Sequence, residues 1–406
     1  MDLELTGYSF PNDVHITWSL MIVLYPYITG LVAGAFVVSS LYHVFWIKTL
    51  RPVSRLSLVS SLAFLTVATL PLLTHLGQPT RAFNILITPN FRSAMAAFGL
   101  IYSFYFAIVI LETWLVFRTD IIERARRNRG LKRWFYAILA LGVYDASEES
   151  QRVDHKFIVV LASLGIPAAC VLHGYVGFMF GSVKANSFWS TPLMPIIFLF
   201  SAVTSGIALI IVLYEFLAKL SGRGIDAACV QTLCRILALF VVITVTVELL
   251  EIVQLAYQGG EEWQVVGPLL SGKLAFSFIG IQMVFGSLIP ITLLGIVVLM
   301  RPYLTNPLRN TIAFIAASIL LIQVFSMRWN VIIGGQMFSK SLRGFRESYS
   351  PGLFEKEGIA VAIVIFLIPF IIMAIFNRFL PLHQEPEAPI DPSTRTAMFR
   401  REAFPS

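Results

Sequence analysis

Ala360-Val-Ala-Ile-Val-Ile-Phe-Leu-Ile-Pro369 has no polar side chain on any face of the helix it would form. A soluble helix sets an apolar stripe against a polar one, and a membrane β-strand alternates residue by residue. This segment does neither, and it suits a helix surrounded by lipid, where every backbone group must be satisfied internally. Eight similar runs precede it. The nine spans read at roughly 20–46, 56–76, 94–117, 157–181, 193–218, 233–257, 274–299, 310–334 and 359–378, each long enough for a ~30 Å hydrocarbon layer. Charge, Pro or Gly bounds each of them, as in Lys48-Thr-Leu-Arg-Pro52 and Arg301-Pro-Tyr-Leu-Thr-Asn-Pro307. The expected fold class is an all-α polytopic membrane protein.

Composition agrees. Of 406 residues, 57% are hydrophobic and 13% charged, against ~45–50% and ~25% in soluble domains. Cys170, Cys229 and Cys234 lack C-x-x-C spacing, which disfavours zinc, iron–sulfur ligation and a disulfide framework. The N-terminal Met-Asp-Leu-Glu-Leu-Thr-Gly has no basic n-region, so the first span is expected to persist in the mature protein.

The net charge of +7 has a topological origin and gives no reason to invoke nucleic acid. With alternate connections assigned to opposite sides, 21 Lys and Arg fall on one side and 9 on the other. The positive-inside rule places the N-terminus outside and the C-terminus in the cytoplasm. The basic connection near 118–156 contains Leu131-Lys-Arg-Trp-Phe-Tyr-Ala-Ile-Leu-Ala-Leu141, too short to span and suited to an interfacial helix. The stretches outside the spans are too short for a soluble catalytic domain. Chemistry must therefore reside in polar groups within the spans, in a bound cofactor or in a partner.

Ionisable groups in a bilayer cost ~2.5–3.5 kcal/mol near its centre, so they face bundle interiors, cavities or one another. Glu248 and Glu251, three residues apart in the outer half of the sixth span, share a helix face and form a pair able to hold and pass protons. Arg328, toward the outer end of the eighth span, is expected to meet one of them. Glu112 and Glu215 lie toward the cytoplasmic ends of the third and fifth spans. Snorkelling to the interface is the favoured reading for Glu215; for Glu112 it competes with feeding protons from inside. His75 and His173 fall at similar depth on the outer side, as two haem ligands would, although neither helix carries a second histidine. A quinone headgroup asks for less: one or two hydrogen-bond donors, an apolar slot and a titratable neighbour. His173-Gly-Tyr175 supplies such groups, although residues two apart point ~200° apart around the axis. Tyr25 and Tyr27 beside Pro26 are further donors, and Gly30-Leu-Val-Ala-Gly34 reads as close helix packing.

The second connection, His75-Leu-Gly-Gln-Pro-Thr-Arg-Ala-Phe-Asn84 followed by Ser93-Ala-Met, resembles the G-x-P loop of the NrfD-like membrane subunits of polysulfide reductase and related complexes. Gly30-Leu-Val-Ala-Gly-Ala35, Tyr175-Val-Gly with Trp189, Thr191-Pro-Leu-Met-Pro195 with Ser205-Gly206, and Arg328-Trp-Asn-Val-Ile-Ile-Gly-Gly-Gln336 extend the likeness over roughly residues 15–340. The resemblance implies two four-helix bundles plus a C-terminal helix. The corresponding division is 1–190 and 191–340 for the bundles, 341–380 for an outer loop and the extra helix, and 381–406 for a flexible cytoplasmic tail. It implies a (mena)quinone site near the outer surface of the first bundle, with no haem or iron–sulfur cluster in this chain. It also implies an iron–sulfur subunit docked outside, serving a molybdopterin or multihaem cytochrome subunit. The outer stretch Lys340-Ser-Leu-Arg-Gly-Phe-Arg-Glu-Ser-Tyr349 is a candidate part of that dock. Two departures stand out: the family site uses Asn and His in its first span where this chain has Tyr25, and relatives carry Asp where this chain has His75.

The resulting expectation is a quinone-reactive subunit of a bacterial respiratory oxidoreductase in the cytoplasmic membrane. Tyr175, His173, His75 and Tyr25 stand near the headgroup, and Glu248, Glu251, Glu112 and Arg328 along a proton path. A secondary transporter, a haem b quinol oxidoreductase subunit and a passive anchor are the alternatives. The transporter requires two spans broken at corresponding positions, for which Pro26 and Pro167 are the candidates.

Overall fold

The computed structural model describes residues 15–339, 342 and 344–384. Nine helices among the described residues are long and apolar enough to cross a membrane: α1 (Leu20–His43), α2 (Lys48–His75), α3 (Ala94–Arg127), α4 (Glu148–Gly181), α5 (Met194–Leu220), α6 (Ala227–Gln258), α7 (Phe276–Leu299), α8 (Asn306–Gln336) and α9 (Ile359–Phe379). Among the described residues there is no strand, only a bridge between Phe338 and Phe345. The chain is an all-α, multi-pass membrane protein, as the apolar runs lead one to expect. The N-terminal residues read for a signal peptide and the tail from residue 385 lie outside the described residues, as do Lys340, Ser341 and Arg343 of the outer loop.

The helix ends extend beyond the apolar runs where charge suits the helix dipole. α3 continues to Arg127 with Arg124, Arg126 and Arg127 in its last turn, and α4 starts early with Glu148 and Glu149 in its first. Ser147 caps α4 by accepting from the Ser150 amide at 3.3 Å. Between them lies the short helix Gly130–Leu139, whose Tyr136 donates to the Phe379 carbonyl at 2.9 Å. α1 and α4 run unbroken through Pro26 and Pro167, so the broken spans that a transporter reading requires are not found there.

The up-and-down path puts the connections 44–47, 128–147, 221–226 and 300–305 at one end, here the basic end. The connections 76–93, 182–193, 259–275 and 337–358 lie at the far end. α1 packs on α2 and α4, and α3 on α4 and α2; α5 packs on α6 and α8, and α7 on α6 and α8. These two groups meet where α5 lies along α1 and α4, and where α8 touches α1; α9 lies outside, against α2 and α1. The α1–α5 crossing is a backbone contact. A Cβ on Gly206 would fall 2.3 Å from the Gly34 Cα, and one on Gly34 would fall 2.5 Å from the Ala202 carbonyl oxygen. Lipid offers helices no hydrophobic reason to associate, so such close approach is a main source of packing energy. Gly30, one turn away, makes ordinary contact with Ala202.

The far end is tied across the bundles. Trp18 stacks on Trp189 at 5.0 Å, its amide donates to Gln336 at 3.0 Å, and the Trp189 indole donates to the Val331 carbonyl at 2.6 Å. The Leu20 amide donates to the Tyr349 hydroxyl at 3.0 Å, so this tyrosine of the 337–358 connection is turned inward against α1. In α7, Phe276–Leu288 is π-helical, a rare form that concentrates at functional positions.

Replacing Gly206 by Leu is expected to destabilise the fold by at least ~1–3 kcal/mol through overpacking, seen as a lowered unfolding midpoint in detergent. Gly295→Ala, where an added Cβ meets nothing within 4 Å, should leave the midpoint unchanged or raise it.

Candidate functional site

The four residues expected around a headgroup separate into three places. Tyr25 on α1 and Tyr175 on α4 both meet the first turns of α3. Tyr25 is 2% exposed, its ring stands edge-on to Phe98 at 5.7 Å, and its hydroxyl has no protein partner. The Tyr175 hydroxyl donates to the Ala94 carbonyl at 2.9 Å, one helical turn before Phe98. The short helix Asn84–Ile87 closes over the same turns, pressing Ile85 against Gly99 so tightly that a Cβ there would lie 2.1 Å from it. This region combines a buried free hydroxyl with a second phenol and an apolar wall.

His173 faces the opposite way from Tyr175, as their spacing requires. It is fully buried, and its Nε2 lies 3.2 Å from Arg328 Nη2. The Arg328 guanidinium also donates to Ser201 Oγ at 2.7 Å and the Phe198 carbonyl at 3.2 Å, and it stacks 3.8 Å over the Phe198 ring. The expected contact of Arg328 with Glu248 or Glu251 is not formed. Residue 328 on α8 points into the seam between the two groups of helices, whereas Gln323, about 140° around the axis, is the α8 residue that reaches Glu248.

His75, at the end of α2, is tied to the 337–358 connection: its Nδ1 lies 2.8 Å from Glu357 Oε2. Partial burial pushes the Glu357 carboxyl up, but hydrogen bonds with Ser19 and His75 and the nearby His75 and Lys356 outweigh it and hold it below the usual glutamate range. His75 and His173 thus point to different partners and do not converge, so they do not form the ligand pair that a haem needs. Among the described residues no group of three or more His, Cys, Asp or Glu could hold a metal ion.

Glu248, fully within the second group of helices, is held by amides. Its Oε2 accepts from Gln282 Nε2 at 2.9 Å and Gln323 Nε2 at 3.4 Å, and Gln282 Oε1 accepts from Asn330 Nδ2 at 2.7 Å. Asn330 Oδ1 in turn accepts from Ser277 Oγ at 2.6 Å. The π-helical stretch of α7 supplies Ser277 and Gln282 to this network. One turn toward the basic end, Thr244 and Thr204 bond at 3.1 Å. Sequence reading missed Gln282, Gln323, Ser201 and this threonine pair. Their signal was the presence of uncharged amides and hydroxyls in otherwise apolar runs, which cost too little in lipid to stand out. Glu251 is half-buried, and no protein hydrogen bond reaches it.

Toward the basic end, Glu112 and Glu215 are both 0% exposed, and none of their four carboxyl oxygens has a protein partner. Snorkelling therefore does not describe Glu215: α5 turns it inward beside Cys234 of α6 rather than out to the interface.

A separate apolar cavity of about 520 Å³ lies between α1, α8 and α9, lined by Leu24, Tyr27, Phe325, Trp329, Ile363 and Phe366 among others. Its phenol, Tyr27, already donates to the Leu321 carbonyl at 3.2 Å. The cavity suits a hydrocarbon chain.

The protein is similar to a selenate reductase subunit of Mesobacillus selenatarsenatis, 28% identical over 94% of this chain and 89% of the relative. It is 24% identical to the Hdr-like menaquinol oxidoreductase integral membrane subunit of Archaeoglobus fulgidus, over 84% of this chain and 79% of that one. Against a polysulfide reductase polypeptide of Wolinella succinogenes it is 24% identical, over 80% and 95%. The family model for polysulphide reductase, NrfD, matches residues 10–340, from before α1 to the end of α8. With its helices and loops in that order, the chain belongs to the NrfD family of polysulphide reductase membrane proteins.

Proposed function

We propose that this chain is the quinone-reactive membrane subunit of a bacterial respiratory oxidoreductase complex. The observation that carries the reading is the Tyr25 hydroxyl: buried, without a protein partner, and directed at the same α3 turns as Tyr175. A buried polar group left unpaired costs ~1–3 kcal/mol, and a quinone carbonyl placed there would accept its proton. The names of the relatives, which include a menaquinol oxidoreductase subunit, support menaquinone as the substrate. Tyr175 lines the same slot, His173 lies about a turn and a half deeper against Gly30, and His75 fixes the loop at its rim.

In this reading the basic end faces the cytoplasm and the quinone lies near the outer surface of the cytoplasmic membrane. Electrons pass to or from an iron–sulfur subunit docked on the far end, which serves a molybdopterin or multihaem partner. Glu248 with its amides and Glu251 form a polar route within the second group of helices, with the Arg328–His173 pair at the seam beside it, suited to moving protons. A transporter would use the same carboxylates, but the unbroken α1 and α4 argue against it. A passive anchor would have no need of a fourfold amide and hydroxyl network around a buried acid.

Titration of the purified complex with a fluorescent quinol-site inhibitor tests the headgroup placement. Tyr25→Phe is expected to weaken binding about tenfold, the loss of one buried hydrogen bond of ~1.4 kcal/mol. Native affinity in that variant moves the site away from α1, and absence of saturable binding to the native complex overturns the reading. In vesicles loaded with a pH-sensitive dye, Glu248→Gln is expected to remove turnover-linked proton movement while inhibitor binding persists. An unchanged dye signal would exclude Glu248 from any proton route.

A further inference from the structure

Within the first group of helices, buried polar atoms without protein partners form a file that the quinone site does not account for. At the basic end, His155 on α4 packs its ring at 5.2 Å against Trp46 on the surface, and its Nε2 has no partner. His43, on the last turn of α1, lies in electrostatic reach of His155 and Arg55, is 7% exposed, and has both ring nitrogens unpartnered. Ser39, one turn further in on α1, is 0% exposed with a free hydroxyl. Glu112 on α3 is 0% exposed with both carboxyl oxygens free, and Tyr105, likewise 0% exposed, has its hydroxyl beside Ser61, outside good hydrogen-bond geometry, and in electrostatic reach of Glu112.

The depths fit together. Tyr105 meets Phe36 ring to ring at 5.5 Å, and α1 and α3 run in the same direction. His43 lies seven residues beyond Phe36 and Glu112 seven beyond Tyr105, each about 10.5 Å toward the basic end. His43 and Glu112 therefore stand at one level, with Ser39 between that level and Tyr105. Past Tyr105, the unpartnered hydroxyl that remains on the way to the far end is that of Tyr25. The charged groups flanking the mouth are already paired, Arg55 with Asp120 at 2.7 Å and Arg118 with Asp154. Neither cation bonds Glu112. Buried orphans occur in the second group too, at Glu215, Gln231 and Asn310, but here they follow one another in depth from the basic end inward, and that order calls for an explanation.

We infer that His155, His43, Ser39, Glu112 and Tyr105 form a proton file from the cytoplasmic face to the quinone slot, with Glu112 as its proton-holding group. The inference rests on the quinone reading above and adds the source of the substrate protons. Interconversion of quinone and quinol moves two electrons and two protons. The electrons exchange with the iron–sulfur subunit at the far end. The protons exchange through this file, Glu112 giving one toward Tyr105 and regaining one from the His43 side, or the reverse when quinol is oxidised. With no cation in contact, a proton is what neutralises the Glu112 carboxyl. Bridging waters complete the gaps, each needing two or more polar partners. The route is distinct from the network around Glu248, whose donors are already engaged.

The test uses the intact complex in vesicles, measuring turnover of a soluble quinone analogue alongside inhibitor affinity. Glu112→Gln keeps the shape and removes the titrating proton. It is expected to slow turnover at least tenfold, the low side of what a positioned proton carrier contributes (~10²–10⁴), with inhibitor affinity unchanged. Glu112→Asp should recover part of the rate, which a packing role would not give, and His43→Asn should slow turnover in the same way. Native turnover in Glu112→Gln with the inhibitor still bound overturns the inference and leaves the quinone reading standing. Absence of saturable inhibitor binding to the native complex overturns both. Should Glu112→Gln fail to assemble, dicyclohexylcarbodiimide, which attacks buried carboxyls that carry a proton, decides on the native complex. Modification of Glu112, followed by peptide mass in step with loss of turnover, supports the file; an unmodified Glu112, or turnover retained after its modification, overturns it.

Discussion

Two glycines set the geometry of the protein. Gly34 and Gly206 let α1 and α5 touch backbone to backbone, and each of these helices packs against its own group of four. Any side chain at either position would drive apart not one pair of helices but the two groups. The consequences run outward from this crossing. Arg328 reaches His173 because α8 is held close to α4 across α5, and Gly30 meets His173 because α1 lies on the same seam. A charged guanidinium and an imidazole can be buried here because their surroundings cannot move away: Ser201, the Phe198 carbonyl and the Phe198 ring cover the guanidinium from the α5 side.

Around that rigid seam the polar interior is satisfied in some places and left open in others. The second group of helices carries a connected network in which an acid, three amides and a serine meet donor to acceptor. Such a network fixes rotamers and side-chain order, since each member would be costly if unpaired. The first group carries hydroxyls, imidazoles and a carboxyl that protein atoms leave unpaired, and the second adds Glu215, Gln231 and Asn310 outside its network.

The helical architecture was legible because lipid imposes a length: each apolar run long enough to cross had to be a helix, and all nine are. The ends were less legible. Arg124, Arg126 and Arg127 stop an apolar count, yet they complete α3 by opposing its dipole. Depth along a helix was also readable, since it follows from counting residues from a charged boundary. Rotation about the helix axis was not. Glu248, Arg328 and His173 do stand in the halves of their helices away from the basic end, but which of them touch depends on the face each helix turns toward its neighbours. That face is fixed by the glycine crossing rather than by the residues themselves. The amides Gln282 and Gln323 stayed hidden for a different reason: they carry no charge to mark them in an apolar run.

The placement of Glu112 and Glu215 carries the last step. Glu215 lies five residues from the basic end of α5, and Glu112, mid-way along the longer α3, stands level with the last turn of α1, depths from which a long side chain can turn outward to reach water. Instead both are wholly enclosed. Had helix position alone governed them, the outward rotamer would have been available, since Leu111 and Phe216, their chain neighbours, are more than half exposed. The helices turn the acids inward and set apolar groups toward lipid. Each such acid keeps its destabilising burial without an ion pair to offset it, and neither contributes to the seam that holds the fold. A fold that encloses an unpaired carboxyl at two independent positions, where an apolar residue would pack at less cost, is spending stability on something other than structure.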